Sequence, residues 1–384
     1  MDVEDIVAVL RPGARVVVGD GAGMPVTVWE PLREAARRVG GIDLLLGWCL
    51  FPPPGLDDDL AYRRVDTILG GYGLRGYLRS GRVGYLPVRL SSLPTLLRDV
   101  LRPDVAIVSL RPSREGLVFG AEVGWMAAAM EVADTVLVEE RPGLPQATAE
   151  PLPEVADLRV LGASERGPSE LPGAGSTADL RRLGTEAARL VPAGAAVQFG
   201  PGGVSAAVLD ALTEAVEIDS GVLIDEVVGL EERGLLLGTP LATYLVGSSR
   251  LYSWADGRPI LRRLEHTHDP SRLARRPLAA VNTALEIDPV AQINVEGTAD
   301  EVIAGVGGHP DYAMAAARAP HGLSMVVVPA TRGRRPSLVA TLSAPVSTPR
   351  HDVDVVVTER GSVDLRGRTD RERRALIEGV WGVG

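Results

Sequence analysis

The chain contains no lysine; all 40 of the cationic side chains among its 384 residues are arginine. That absence excludes a phosphate-loop lysine, Schiff-base catalysis and lysine-bound pyridoxal phosphate in one step. Arginine still suits the gripping of carboxylates and phosphates. There is one cysteine, Cys49, which can form no internal disulfide and has no companions for a metal site. It reads as a buried structural thiol in a reducing cytoplasm. No apolar run approaches eighteen residues, and no basic segment followed by a continuous apolar stretch opens the sequence, so a membrane span and export are not expected. The net charge of −10 argues against a nucleic-acid backbone as the main partner, because phosphate binding needs a basic surface.

What is present is a 45% hydrophobic composition, enough to fill two cores. Arg15 to Val18 predicts a strand that runs into the glycine-rich GDGAGMP, Gly19 to Pro25, and then a helix from Val28 to Val39. Strand, glycine turn, helix is a layout that can offer backbone N–H groups to an anion. The spacing is not the dinucleotide GxGxxG, and no well-placed acid follows about twenty residues on, so nicotinamide or flavin binding is not favoured. Further strands are expected at Ile42 to Gly47, Val105 to Ser109 and Thr135 to Glu139, with a helix over Val123 to Val132. Alternating strands and helices imply a mostly parallel sheet.

From Arg141 to Thr177 the composition turns to proline, glycine and small polar residues, which predicts an interdomain linker. The division is therefore a domain over 1–145, a linker over 146–177 and a domain over 178–384. In the second domain a helix is expected over Asp179 to Leu190 and a strand over Ala196 to Phe199, followed by a second glycine turn, Gly200 to Gly203, and an apolar-periodic helix. Later strands are suggested at Ala242 to Val246, Met325 to Pro329 and Val353 to Thr358, and an arginine-rich helix near Asp370 to Glu378. His266 and His268 sit two apart, but nothing nearby completes a ligand set, so no metal is expected. Arg350 with Asp352 or Asp354 reads as an internal ion pair.

Several segments carry a resemblance. They are QFGPGGVSAAVLDAL from Gln198, VNTALEIDPVAQINVEG from Val281, GVGGHPDYAMAAARAPHG from Gly305, STPRHDVDVVVTERGSVDLRG from Ser347 and RTDRERRALI from Arg368. GYLPVRLSSLP from Gly84, DVAIVSLRP from Asp104 and ADTVLVEERPGLP from Ala133 add to them. In this order, over nearly the whole chain, they resemble the acetyl-CoA hydrolase/transferase family, a branch of the type I CoA-transferases. The resemblance implies two open α/β domains, each with a mostly parallel sheet. It also implies a homodimer, a substrate pair of acyl-CoA and small carboxylate, and coenzyme A entering as part of the substrate.

Glycine clusters let a backbone approach a ligand and point successive N–H groups at it. Gly200, Gly202, Gly203, Gly221, Gly305, Gly307 and Gly308, with His309, are accordingly the candidate CoA and substrate contacts, and each is also readable as a turn residue. The resemblance implies that Asn282 and Gly322 lie beside the acyl carbonyl. It further implies a nucleophilic glutamate in a segment resembling GIHTEM. Laid without gaps against Ile218 to Gly234, that triplet falls on Asp219, Ser220 and Gly221. The nucleophile's position is then occupied by glycine. A four-residue gap would bring Asp225 to it instead. Asp225 and Glu226 remain candidate catalytic acids, or surface and capping acids. Three functions stay open: CoA transfer or thioester hydrolysis, retention of CoA without turnover, and non-covalent acyl transfer.

Overall fold

In the computed structural model, which describes residues 2–171, 173 and 175–382, the chain forms two compact units, neither continuous in sequence. Of the described residues, the first gathers those within 1–171, 243–265 and 301–307, and the second those within 172–242, 266–300 and 308–384.

The first unit is built on strands β1 (Arg15–Val18), β2 (Ile42–Leu46), β3 (Tyr62–Thr67), β4 (Gly84–Tyr85), β5 (Val105–Ser113), β6 (Gly116–Val118), β7 (Thr135–Glu140) and β8 (Leu158–Ala163). They lie in the order β4-β3-β2-β1-β5-β7-β8, with all these neighbours parallel and β6 antiparallel beside β5. Val16, Val17 and Val18 are fully buried. An unbroken β-branched run of this kind belongs in a parallel sheet covered on both faces. Helix α1 (Trp29–Val39) buries Trp29, Leu32, Ala35 and Ala36, one face at helical spacing. It stops at Gly40, whose φ of +89° suits a left-handed C-cap. The chain fills the sheet from β1 to β4 on one side, then returns to begin β5 on the other. The crevice beyond the carboxyl ends of β1 and β5 is therefore a topological switch point, the usual ligand position in open α/β sheets.

The second unit contains α2 (Ala178–Ala188), β9 (Ala196–Phe199), α3 (Gly203–Ala211), β10 (Glu217–Ile218), α4 (Glu226–Glu232), β11 (Leu278–Asn282), α5 (His309–Arg318), β12 (Leu323–Val327), β13 (Val355–Thr358), β14 (Gly361–Asp364) and α6 (Asp370–Trp381). The sheet order is β10-β9-β11-β12-β13-β14, parallel except for the β13–β14 pair. Its switch point lies between β9 and β11. Helix α6 opens on a reciprocal capping box between Thr369 and Glu372 and ends at Gly382 with φ +70°.

The expected fold class is the observed one, with three differences of detail. The proline-rich stretch holds an ordered strand, β8, parallel to β7; an edge strand tolerates such composition because only one side of its backbone must pair. Residues 243–265 and 301–307 pack with the first unit although the sequence division assigns them to the second domain. Arg350 pairs with Asp370 at 3.2 Å, while Asp354, one of its two expected partners, accepts the Ser324 N–H at 2.9 Å instead. No described helix is long and apolar enough to cross a membrane.

Candidate functional site

The two switch points are chemically opposite. In the first unit the glycine turn after β1 is occupied by the chain's own carboxylates. Asp20 accepts the Trp48 N–H at 2.7 Å and the Tyr244 hydroxyl at 3.1 Å. Glu122 accepts the Gly23 N–H at 2.9 Å. Glu139 accepts the Val26 and Thr27 N–H groups at 3.1 and 3.0 Å. Arg141, wholly buried, lies 3.7 Å from Glu139 and donates to the carbonyls of Met24, Arg166 and Gly167. A Cβ at Gly23 or Gly47 would overlap the Glu122 or Asp20 carboxylate, which explains glycine at both positions. Burial pushes Asp20 up to about 6. Burial, with the Asp20 charge adding to it, pushes Glu122 up to about 8. Cys49 is buried near Asp20, its thiol pushed up by burial and then by the Asp20 charge. The N–H groups that the sequence suggested for an external anion are thus spoken for internally.

In the second unit the turn after β9 is open. A Cβ at Gly200 or Gly202 would meet nothing within 4 Å. Gly202 has φ +120° and caps α3 without any side-chain hydrogen bond. Beside this turn stand Gln198 of β9 and Asn282 of β11. Gln198 is opposite Ala280 in register, so Asn282, two residues on, shares its face of the sheet. The Gln198 side-chain N–H donates to the Asn282 carbonyl oxygen at 3.4 Å. Gln198 Oε1 and Asn282 Nδ2 are then left buried and without a partner among the described residues. Exchanging the orientation of both amides changes which residue supplies which, yet one acceptor and one NH₂ donor always remain. Each such buried, unmatched group costs about 1–3 kcal/mol.

Gly221 and Gly308 meet at a third residue. His268 is 2% exposed, with Nδ1 2.9 Å from the Thr267 hydroxyl and its ring edge-on to Tyr312 at 5.0 Å between centroids. A Cβ at Gly221 would lie 3.1 Å from His268 Nε2 and Cε1; one at Gly308 would lie 2.5 Å from Nε2. The imidazole is seated against both glycines. Burial pushes its pKa down to about 3, against the opposing charge of Asp219, so the ring is neutral. Asp219 itself is fully buried and held by Arg272 at 2.6 and 2.8 Å and Arg276 at 2.5 Å. Burial alone would raise Asp219, but the arginine hydrogen bonds outweigh it and hold the carboxylate below its usual range. Asp219 is a clamped ion-pair member and not a free base.

The other residues singled out from the sequence are dispersed. Gly305 and Gly307 belong to the first unit and Gly308 to the second. Gly305 packs so closely on Leu69 that a Cβ would sit 2.9 Å from its side chain, and the Gly307 carbonyl accepts the Leu90 N–H. Gly308 caps α5. His309 has both ring nitrogens engaged, Nε2 with the Thr283 carbonyl at 3.2 Å and Nδ1 with the Thr348 hydroxyl at 2.7 Å. Because a carbonyl only accepts, Nε2 carries the proton and Nδ1 accepts from Thr348. Asp225 and Glu226 stand at the start of α4, where the helix dipole favours negative charge. Gly322 is corrected. It precedes β12, and the register pairs Leu323 with Ala279 and Val326 with Asn282. Gly322 thus lies at the opposite end of the strands from Asn282, about 10 Å or more away at strand rise, and its glycine is needed where a Cβ would strike the Ala316 carbonyl and Ala319.

Sequence reading missed the role of Gln198, although the residue opens the stretch QFGPGG, and it read His268 only as half of a histidine pair. The one local signal was a polar residue inside an otherwise apolar strand.

Residues 247–380 match the model of the acetyl-CoA hydrolase/transferase C-terminal domain. Over 401 residues the chain is 26% identical to 4-hydroxybutyrate coenzyme A transferase of Clostridium kluyveri, covering 97% of this chain and 92% of that one. It is 25% identical over 433 residues to acetyl-CoA hydrolase of Eremothecium gossypii, covering 93% and 81%. In fold it is similar to RipA from Yersinia pestis, with a TM-score of 0.86 at 22% identity over 99% of this chain and 93% of that one. It is likewise similar to 4-hydroxybutyrate CoA-transferase from Porphyromonas gingivalis, with a TM-score of 0.79 at 24% identity over 99% and 93%.

Proposed function

We propose that the chain is a member of the acetyl-CoA hydrolase/transferase family and that it turns over acyl-CoA thioesters at the switch point of its second unit. Either water or a small carboxylic acid receives the acyl group or the CoA. The observation that carries this reading is the unmatched pair at the carboxyl ends of β9 and β11: Gln198 Oε1 and Asn282 Nδ2 are a buried acceptor and donor with no partner among the described residues. A thioester carbonyl takes a donor. The N–H of a pantetheine amide, or a water, supplies the hydrogen that the acceptor needs. The open turn Gly200 to Gly203 gives the pantetheine arm room for close backbone approach. A preorganised donor at an attacked carbonyl oxygen is worth about 2.7–4 kcal/mol of barrier.

Within this reading Gly221 stands where a nucleophilic glutamate would act, so a covalent acyl-enzyme route through that position is not available and hydrolysis is favoured over transfer. The same glycine supports a second reading, a protein that binds CoA without turning it over. Incubation with acetyl- and butyryl-CoA, with and without acetate, separates them when free thiol and CoA exchange are followed. Thiol release without added acid is the expected result. Exchange that depends on acetate would make the protein a transferase. CoA binding with neither reaction would leave only the second reading.

A further inference from the structure

Gly221 and Gly308 are distant in sequence, and neither has a positive φ that would require glycine. What they share is the His268 ring. A Cβ at 308 would lie 2.5 Å from His268 Nε2, closer than side-chain carbons approach, and a Cβ at 221 would press on Nε2 and Cε1 at 3.1 Å. The ring has little freedom to yield. Nδ1 is tied to the Thr267 hydroxyl, the Tyr312 ring lies edge-on to it, and Tyr312 is itself fixed by donating its hydroxyl to the Thr267 carbonyl at 2.8 Å. Three of these groups come from three separate segments, so the seat is a packed assembly and not a chance of local geometry.

We propose that His268 decides which reaction this enzyme performs: its imidazole fills the space beside Gly221, excludes a carboxylate side chain from that position, and leaves the bound thioester to water. This rests on the acyl-CoA reading given above. In the reaction so assigned, a water oxygen bonds to the thioester carbonyl carbon and the carbon–sulfur bond breaks. One proton of the water ends on the sulfur as CoA thiol and the other leaves with the carboxylic acid into solvent. No enzyme–CoA bond forms. His268 acts here by occupying volume, as a specificity-determining residue, and takes no proton.

The test uses the full chain and two kinds of readout. The first is a stability cycle. G308A and G221E are each expected to lower the melting temperature by about 5 °C, and each by much less in the H268A background, because the ring that opposes the new side chain is gone. Additive shifts would overturn the proposal whatever the activity. The second is chemical. The G221E/H268A protein is expected to show acetate-dependent CoA exchange at least tenfold above the parent, and to gain the mass of CoA on incubation with acetyl-CoA, as the introduced carboxylate attacks the carbonyl, expels the thiolate and is then attacked by it to release acetate. H268A alone should show neither. Equal exchange in G221E alone would overturn the proposal, as would a folded, CoA-binding double variant without the adduct. If no protein in the series, parent included, binds or cleaves acyl-CoA, the acyl-CoA reading fails, while the stability cycle still reports on where the ring sits.

Discussion

Each unit places a glycine turn at the carboxyl end of a central parallel strand, and the two turns differ in what arrives to meet them. At Gly19 to Gly23 the visitors are the chain's own groups: Glu122 takes the Gly23 N–H, Trp48 and Tyr244 donate to Asp20, and just beyond the turn Glu139 takes the Val26 and Thr27 N–H groups and Arg141 the Met24 carbonyl. At Gly200 to Gly203 the helix is capped by a glycine, which has no side chain to offer, and the neighbouring Gln198 and Asn282 keep an acceptor and a donor unmatched among the described residues. A strand, a glycine turn and a helix therefore specify an opening in the backbone, while long-range side chains determine whether the opening is filled from within or from solution.

The strongest way to break the contrast is to empty the filled turn. Arg141→Ala would leave Glu139 buried without its cation, and a loss of about 3–5 kcal/mol is expected in urea unfolding, against a much smaller loss for any single change at Gln198. The pH dependence sharpens the same point. Asp20 and Glu122 have folded-state pKa values raised to about 6 and about 8. Their contribution to stability is present in full below the unfolded carboxyl values and is lost as pH rises through 6 and 8, at up to about 1.4 kcal/mol per unit for each group. Glu122→Gln should flatten the decline of unfolding free energy between pH 5 and 8.5. Asp219, held below its usual range, works with the opposite sign, since its contribution is lost as pH falls, and it is unaffected by that substitution.

A smaller effect is expected from exchanging glycines between the turns. Gly23→Ala should cost about 1–3 kcal/mol through overlap with Glu122 and leave CoA affinity unchanged per folded molecule. Gly202→Ala, strained by its φ of +120°, should cost about 1–2 kcal/mol and weaken CoA binding about tenfold in calorimetry. Smallest in stability is Gln198→Leu, within about 1 kcal/mol because it removes an unmatched acceptor; CoA affinity should nonetheless fall several-fold. Equal CoA losses at Gly23 and Gly202 would abolish the distinction between the turns.

The apolar runs made much of this fold legible. The bounds of Arg15–Val18 and Ala196–Phe199 could be read directly because buried parallel strands are continuous in hydrophobicity and are cut off by glycine. Strand β11 was concealed because LAAVN runs into a motif read for its chemistry, and β8 because proline around it signalled a linker. The glycine turns were visible as turns. Their occupants were not, since Glu122 lies 99 residues from Gly23 and Tyr244 lies 224 from Asp20, and no local pattern announces a partner at such range. His268 was noticed for its neighbour His266, whereas its significance lies in two glycines that sequence alone could explain only as turns.

The division of the chain has a consequence for synthesis. Residues 243–265 and 301–307 complete the first unit, and the hydroxyl that Asp20 accepts from belongs to Tyr244, 224 positions downstream. At ribosomal rates of about 5–20 residues per second, that partner emerges roughly 11–45 seconds after Asp20 does. The unit that starts first cannot close until residue 307, after two stretches of the other unit have already emerged. A nascent chain halted after residue 171 carries the β1 turn with its carboxyl at residue 20 lacking the tyrosine, and the sheet around it waits on segments delivered between stretches of the other unit.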